Sequence, residues 1–188
     1  VASPIRDAGR DPIGFLGFVV AIALGITVHE FMHAYTAHRL GDDTARLTGR
    51  MTLDPRAHLD LWGSLLIVLI GFGYGRPVPV NEARLASGRA SLALVSLAGP
   101  LTNVALAAIA AIPLRFGASG VFGGEYERIL FLIVIYNCLL GVFNLLPVPP
   151  LDGSKVVYGL LPPSPANTWR TYEQYGPFVL LAILFFLP

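Results

Sequence analysis

One stretch that decides the fold and the function is Thr27-Val28-His29-Glu30-Phe31-Met32-His33. It combines a metal-ligand pattern with an apolar surrounding sequence. It contains a match to the H-E-x-x-H pattern, which is typical of zinc hydrolases. The preceding residues 13–28 carry no charge. On a helix, His29 and His33 lie one turn apart on one face, so both imidazoles can reach one metal ion. Glu30 is offset around the helix, where its carboxylate can take a proton from water without binding the metal.

The composition predicts an integral membrane protein. Hydrophobic residues make up 54% of the 188 residues and charged residues only 13%, against about 25% in soluble domains. A soluble protein of this length could not cover its surface with so few charges. The net charge of +1 predicts no nucleic-acid partner. Cys138 is the only cysteine in the sequence, which excludes an intrachain disulfide and a four-cysteine zinc site.

The apolar segments predict an all-α polytopic fold in one domain, residues 1–188, with about four to five membrane-inserted segments. A helix over residues 13–40 would be about 42 Å long and would cross a hydrocarbon core of about 30 Å. Residues 90–114 form the clearest spanning helix, and residues 129–151 are again uncharged. The apolar residues 61–72 would reach only about 18 Å as a helix, which favours a re-entrant element. Residues 178–187 are also too short to span.

The segment Arg76-Pro77-Val78-Pro79-Val80 alternates proline with β-branched residues. This pattern is typical of extended backbone or an edge strand, because proline cannot donate to a β-ladder. We therefore expect a short β-hairpin or an interfacial loop here. Extended backbone at membrane depth requires protein or a water-filled cavity around it.

The distribution of Lys and Arg predicts which side of the membrane each loop occupies. If residues 61–72 do not cross, residues 39–89 and 148–175 share one side, with nine Lys and Arg against four. The nine are Arg39, Arg46, Arg50, Arg56, Arg76, Arg84, Arg89, Lys155 and Arg170, and the four are Arg6, Arg10, Arg115 and Arg128. If residues 61–72 cross, the counts become seven and six. Because cytoplasmic loops are rich in Lys and Arg, the re-entrant arrangement predicts that the end of the first helix and Asp152 are cytoplasmic.

A catalytic zinc needs a third protein ligand and one open position. The candidates in the sequence are Asp152, His38, His58, Asp54 and Asp60. Asp152 is preferred, because it follows a long apolar segment at a proline-broken end, where an ionised carboxylate needs a partner. The neighbouring glycine lets the backbone turn tightly there.

The sequence resembles the site-2 protease family of intramembrane zinc metalloproteases over about residues 13–160. Ordered motifs carry the resemblance: residues 29–33 (HEFMH), 49–60 (GRMTLDPRAHLD), 76–81 (RPVPVN), 98–103 (AGPLTN) and 144–153 (NLLPVPPLDG). The last is a match to N-x-x-P-x-x-x-L-D-G. The chain resembles a minimal core, with no room for the PDZ or CBS domains of some members.

The resemblance implies one Zn²⁺ per chain, bound by His29, His33 and Asp152, with Glu30 as general base and Asn144 near the reacting carbonyl. The implied substrate is a transmembrane protein, cut within or near its transmembrane helix in regulated intramembrane proteolysis. The implied location is a lipid bilayer, the prokaryotic cell membrane, with the active site toward the cytoplasm. The oligomeric state is not implied. Residues 76–80 would accept an unwound substrate as an added strand, or form a simple loop. Asn103 and the preceding Gly-Pro pair would make room for water or only kink the helix.

Parts of the sequence are also compatible with other functions. Intramembrane metal ligands also occur in divalent-metal transporters, but the sequence has no internal repeat of the kind that transporters show. A non-catalytic membrane scaffold would not need Glu30. Residues 117–120 match G-x-S-G, but the charge count puts this loop on the opposite side from His29 and His33, which disfavours a serine protease.

Overall fold

The computed structural model describes residues 8–71, 73–116 and 124–186. Over these ranges the regular structure is helical and contains no β-strand, and one isolated antiparallel bridge joins Leu59 to Gly75. The short β-hairpin predicted as one option for residues 76–80 is therefore not found in the described part of the chain. Residues 117–120, with the G-x-S-G match, lie outside it.

The α-helices are α1 (Pro12–Arg39), α2 (Thr44–Leu47), α3 (Pro55–His58), α4 (Leu61–Ile70), α5 (Arg89–Arg115), α6 (Gly124–Asn144), α7 (Asp152–Leu160), α8 (Pro163–Tyr172) and α9 (Gly176–Phe186). Short 3-10 turns cover Glu82–Arg84 and Glu173–Tyr175.

Helices α1, α5 and α6 are each long and apolar enough to cross a membrane. They correspond to the three long uncharged segments of the sequence, which confirms the prediction of an all-helical membrane protein. Helix α6 ends at Asn144, earlier than the apolar segment does, because the prolines from Pro147 onward cannot continue a helix. Helix α4 has 10 residues, which gives about 15 Å of length and is too short to span.

Local hydrogen bonds explain where α1 and α4 begin and end. Asp11 caps α1 by accepting from the Gly14 N–H at 3.0 Å, and it also pairs with Arg128 near the start of α6. Asp60 caps α4 through two backbone N–H groups at 3.0 Å. Helix α4 ends at Ile70 and is capped by Gly71, whose φ of 79° suits glycine. The prolines and capping carboxylates of the sequence thus set the limits of the apolar helices.

Small residues bring the three long helices close together. A Cβ on Gly17 of α1 would lie 2.7 Å from the Leu132 side chain of α6, and one on Gly25 would lie 2.7 Å from the Asn137 side chain. A Cβ on Gly141 of α6 would lie 3.0 Å from the Pro100 carbonyl oxygen of α5. Helices that meet through small residues approach closely enough for their side chains to bond across the interface. This close packing positions the polar groups described next.

Candidate active site

Two histidines and one carboxylate converge inside the helix bundle. His29 and His33 lie on α1, Asp152 is the first residue of α7, and each is only 7% exposed. Asp152 Oδ2 is 3.0 Å from His29 Nε2 and 3.1 Å from His33 Nε2, and the two Nε2 atoms are 2.9 Å apart. The two imidazole rings are nearly perpendicular, at 87°. The structure thus gathers three ligand atoms within 4.8 Å of one another.

The other ring nitrogen of each histidine identifies its tautomer. His29 Nδ1 is 2.6 Å from the Asn103 Oδ1 atom, and His33 Nδ1 is 2.7 Å from the Val95 carbonyl oxygen. Both oxygens can only accept, so each Nδ1 carries the hydrogen and donates. In a neutral imidazole the Nε2 atom then presents a lone pair.

These tautomers make the cluster fit a cation. Two Nε2 lone pairs and a carboxylate oxygen face one another at about 3 Å with no hydrogen between them. Buried acceptors without a donor are costly, whereas a divalent cation between them satisfies all three. Two imidazoles and one carboxylate are a set that catalytic zinc uses, with one position left for water or substrate. His29, His33 and Asp152 therefore fit the predicted zinc.

Asp152 is the first residue of α7, and its carboxylate lies against both imidazoles. The Lys155 ammonium lies 3.8 Å from the second carboxylate oxygen. A Cβ on Gly153 would lie 2.5 Å from the Leu146 carbonyl oxygen. The glycine is thus needed for close approach of α7 to the chain before it, rather than for a turn.

Glu30 lies beside the cluster but outside it. Its Oε2 atom accepts a hydrogen bond from the Val78 N–H at 2.9 Å. The segment 76–81, which we call the extended segment, therefore runs past α1 at this point. Glu30 and the three converging residues line one cavity of about 1860 Å³. A carboxylate next to the ligand set, but not in it, is the arrangement that a general base requires.

The remaining candidate ligands have other partners. His38 Nδ1 is 2.6 Å from Asp43 Oδ1 at the end of α1. His58 is fully buried and its Nε2–H donates to the Thr52 carbonyl at 2.7 Å. Asp54 caps α3 and Asp60 caps α4. Of the five candidates, only Asp152 reaches His29 and His33 in the structure.

The sequence model described as Peptidase family M50 matches residues 17–121 and 118–187. The chain belongs to this family.

Several relatives of this M50 chain are named as zinc metalloproteases. The chain is 39% identical to "Putative zinc metalloprotease YwhC" of Bacillus subtilis, over 90% of this chain and 80% of the relative. It is 34% identical to "Putative zinc metalloprotease Rip2" of Mycobacterium tuberculosis, over 94% of this chain and 71% of the relative. It is 30% identical to "Putative zinc metalloprotease MJ0611" of Methanocaldococcus jannaschii, over 76% of this chain and 70% of the relative. No solved structure matches the chain.

Family membership confirms the resemblance to the site-2 protease family that the ordered motifs indicated. It also confirms the enzyme class and the cofactor predicted from the sequence, a membrane zinc metalloprotease. The structure adds where the predicted metal ligands and the predicted base lie relative to the three long helices of this M50 chain.

Asn144 lines the same cavity but is not joined to the cluster. It is the last residue of α6, and its amide donates to the Leu140 carbonyl of its own helix at 2.9 Å. Among the described residues, no hydrogen bond connects Asn144 to His29, His33 or Asp152. Its predicted place near the reacting carbonyl stays a prediction.

Three groups around the histidines were missed as parts of the site. Asn103 accepts from His29, the Val95 carbonyl accepts from His33, and Gly99 packs against both rings. A Cβ on Gly99 would lie 2.5 Å from His33 Nε2 and 2.7 Å from His29 Nε2. The sequence signal for two of them was present, because Gly99 and Asn103 lie four positions apart in the motif at residues 98–103 (AGPLTN). A backbone carbonyl leaves no sequence signal.

Proposed function

We propose that this membrane zinc metalloprotease hydrolyses a peptide bond within or near the transmembrane helix of a membrane-protein substrate. The observation that carries the proposal is the buried His29–His33–Asp152 cluster beside Glu30, in a cavity bounded by helices fit to span a membrane. A site so placed is reached by a substrate that is itself in the membrane. The M50 membership makes peptide hydrolysis the reaction.

In this proposal His29, His33 and Asp152 hold the ion, and Glu30 is the general base. Zinc, when bound, polarises the reacting carbonyl and lowers the pKa of a water molecule to about 7. The Val78 N–H holds Glu30 Oε2, so Oε1 is the oxygen that takes the proton from water. Glu30 then delivers that proton to the leaving amine nitrogen. Asn144 polarises the carbonyl after its amide leaves the Leu140 carbonyl.

The extended segment is the proposed surface for an unwound substrate. A helical peptide bond is protected by its own hydrogen bonds, so the substrate must open before it is cut. The segment is anchored at one end by Arg50, whose Nη2 donates to the Arg76 carbonyl at 2.6 Å. It is anchored at the other by Asp42, which accepts from the Asn81 N–H at 2.6 Å. A substrate strand laid along it would pass Glu30.

We further propose that residues 1–188 are one domain with five membrane-inserted segments. Helices α1, α5 and α6 cross, whereas α4 and α9 enter without crossing. This topology gives nine Lys and Arg residues on one side against four on the other, so the active site faces the cytoplasm of a prokaryotic cell. Cleavage there would release a regulatory fragment of the substrate, as regulated intramembrane proteolysis requires.

The test is cleavage of a candidate single-span membrane protein in proteoliposomes by the parent chain and by Glu30→Gln. We expect Glu30→Gln to keep stoichiometric zinc and to lose at least about 100-fold in cleavage rate, since general-base catalysis contributes about 10²- to 10⁴-fold. Glu82→Gln is the matched control, because Glu82 lines the same cavity but accepts a hydrogen bond from the Tyr158 hydroxyl rather than from a residue of the cluster, and it should cut like the parent. Equal cleavage by parent and Glu30→Gln, with zinc bound, would refute the assignment.

A further inference from the structure

A buried amide on α5 contacts the first histidine of the cluster. Asn103 has no exposed surface, and its Oδ1 atom accepts the His29 Nδ1–H at 2.6 Å. Asn103 meets one ring nitrogen of His29, whereas Asp152 lies 3.0 Å from the other, Nε2. Asn103 thus touches the nitrogen that does not face the metal position.

The orientation of the Asn103 amide is forced by its other contacts. Its Nδ2 atom donates to the Gly25 carbonyl at 3.0 Å and to Asn137 Oδ1 at 2.9 Å. The Gly25 carbonyl can only accept, so the amide cannot flip without placing two oxygens together. The oxygen of Asn103 is therefore held toward His29, which in turn keeps the hydrogen on Nδ1.

A second buried amide is bonded to the first. Asn137 on α6 is also fully buried, and its Nδ2 atom donates to the Ile133 carbonyl at 2.9 Å. The bond between Asn103 and Asn137 thus links α5 to α6, and the bond to Gly25 links both to α1, one turn before His29. The three long helices meet at this pair of amides.

We propose that Asn103 is the positioning residue for His29: it fixes the tautomer and the ring orientation that aim Nε2 at the metal. The proposal rests on the proposed function, in which His29 is a zinc ligand. When a histidine binds a metal through one ring nitrogen, substitution of the group that bonds its other ring nitrogen typically lowers metal affinity by about 10- to 100-fold. His33 has the backbone carbonyl of Val95 in this role, which no side-chain substitution removes, so His29 is the ligand that depends on a side chain.

Two buried amides would also stabilise a helix bundle without any effect on the metal. Asn137→Leu is the matched control for this explanation. It removes a buried amide and its helix-bridging bond from the same network, as Asn103→Leu does, but Asn137 does not touch His29. If the network only stabilises packing, the two substitutions will act alike on metal binding.

The experiment titrates zinc against a competing chelator on the full chain in detergent, for the parent, His29→Ala, Asn103→Leu and Asn137→Leu. We expect Asn103→Leu to weaken zinc affinity by about 10- to 100-fold and Asn137→Leu to weaken it distinctly less. The thermal unfolding temperature of the zinc-free protein should fall by similar amounts in the two leucine variants. The visible spectrum of the cobalt-loaded protein should change with Asn103→Leu and not with Asn137→Leu. Asn103→Ala replaces Asn103→Leu if the latter does not fold.

The outcomes separate this inference from the function on which it rests. If the parent binds no zinc, the proposed function fails. If the parent binds one zinc and His29→Ala loses it, the ligand assignment stands. In that case parent-like affinity and spectrum in Asn103→Leu, or an equal loss in Asn137→Leu, would overturn the positioning role alone.

Discussion

The two sides of the candidate active site are held in different ways. The histidines are oriented from α5 by fully or almost fully buried groups, through Asn103 and the Val95 carbonyl. Glu30 is held by one N–H of the extended segment, at Val78. That segment lacks regular structure and is partly exposed. The ligand side, which holds the proposed ligands His29 and His33, is thus part of the helix core. The base side, which holds the proposed base Glu30, depends on a loop anchored by a few polar contacts.

This difference suits metal binding on one side of the site and access to Glu30 on the other. Metal ligands must keep one geometry through the reaction, and a close-packed helix core provides that. In the proposed function, water and an unwound substrate reach Glu30, and irregular backbone with few buried contacts opens at lower free energy than core helices. We therefore expect substitutions on the ligand side to reduce zinc affinity, and substitutions on the base side to reduce turnover with zinc still bound.

The largest effect is expected at Gly99 on the ligand side. Gly99→Ala would place a methyl group 2.5 Å from His33 Nε2 and 2.7 Å from His29 Nε2, so the rings must move. We expect loss of stoichiometric zinc and a fall in cleavage of about 100-fold or more, the size that a misplacement of about 1 Å can cause. Zinc content after dialysis and the cleavage rate measure it.

Gly124→Ala is the matched control, because nothing lies within 4 Å of a Cβ at that helical glycine. It should bind zinc and cut like the parent. Full zinc occupancy in Gly99→Ala would contradict a rigid ligand side, since it would mean that the histidines can shift by an ångström and still bind.

An intermediate effect is expected at Arg50 on the base side. Arg50 Nη2 donates to the carbonyl oxygens of Arg76 at 2.6 Å and Pro77 at 3.3 Å, next to the Val78 N–H that holds Glu30. Arg50→Met should reduce kcat/KM by about tenfold, the equivalent of one charge-assisted hydrogen bond of about 1.5 kcal/mol. Zinc affinity should be unchanged. Kinetics with a membrane substrate and a chelator titration on the same sample measure both.

Arg56→Met is the control for loss of an arginine, since Arg56 pairs with Asp54 on the surface and its side chain is 90% exposed. It should leave both quantities at the parent values. If Arg50→Met lowered zinc affinity as much as turnover, the two sides of the site would not be independent.

The same division explains how much could be predicted from the sequence. His29, Glu30 and His33 are local: their spacing on one helix already places them on or beside one face. Asp152 was preferred because a charge after a long apolar segment needs a partner, and the structure brings it to the histidines. The short length of α4 likewise followed from counting apolar residues.

The long-range contacts could not be predicted in this way. Asn103 meets His29 across 74 positions, and Val78 meets Glu30 across 48. No local periodicity says which buried amide on one helix faces which imidazole on another, because that depends on how closely the helices approach. The sequence left a strand or a loop open at residues 76–80, and no strand forms there for a related reason: two prolines remove donors, and the Val78 N–H bonds to a side chain instead of a neighbouring strand.

The smallest effect is expected where the extended segment is anchored by Asp42. Its carboxylate is fully buried and accepts from the Thr44 hydroxyl at 2.5 Å, the Thr44 N–H at 3.0 Å and the Asn81 N–H at 2.6 Å. Burial raises the pKa of the Asp42 carboxyl, but these donors outweigh burial and lower that pKa below its usual range. A carboxyl with a lowered pKa in the folded state stabilises that state above its unfolded pKa of about 3.9. The stabilisation is lost as the pH falls through the lower, folded-state pKa.

We therefore expect the Asn81 N–H to be protected from hydrogen exchange at neutral pH. After correction for intrinsic exchange rates, its protection should fall as the pH drops below about 4, while core amides of α5 keep theirs. Asp42→Asn should remove this pH dependence, because the amide does not titrate, and should reduce protection at neutral pH. Protection of Asn81 that is independent of pH in the parent would mean that Asp42 does not anchor the segment. Parallel loss in α5 and at Asn81 would mean that the segment opens only with the core, and the contrast between the two sides of the site would then disappear.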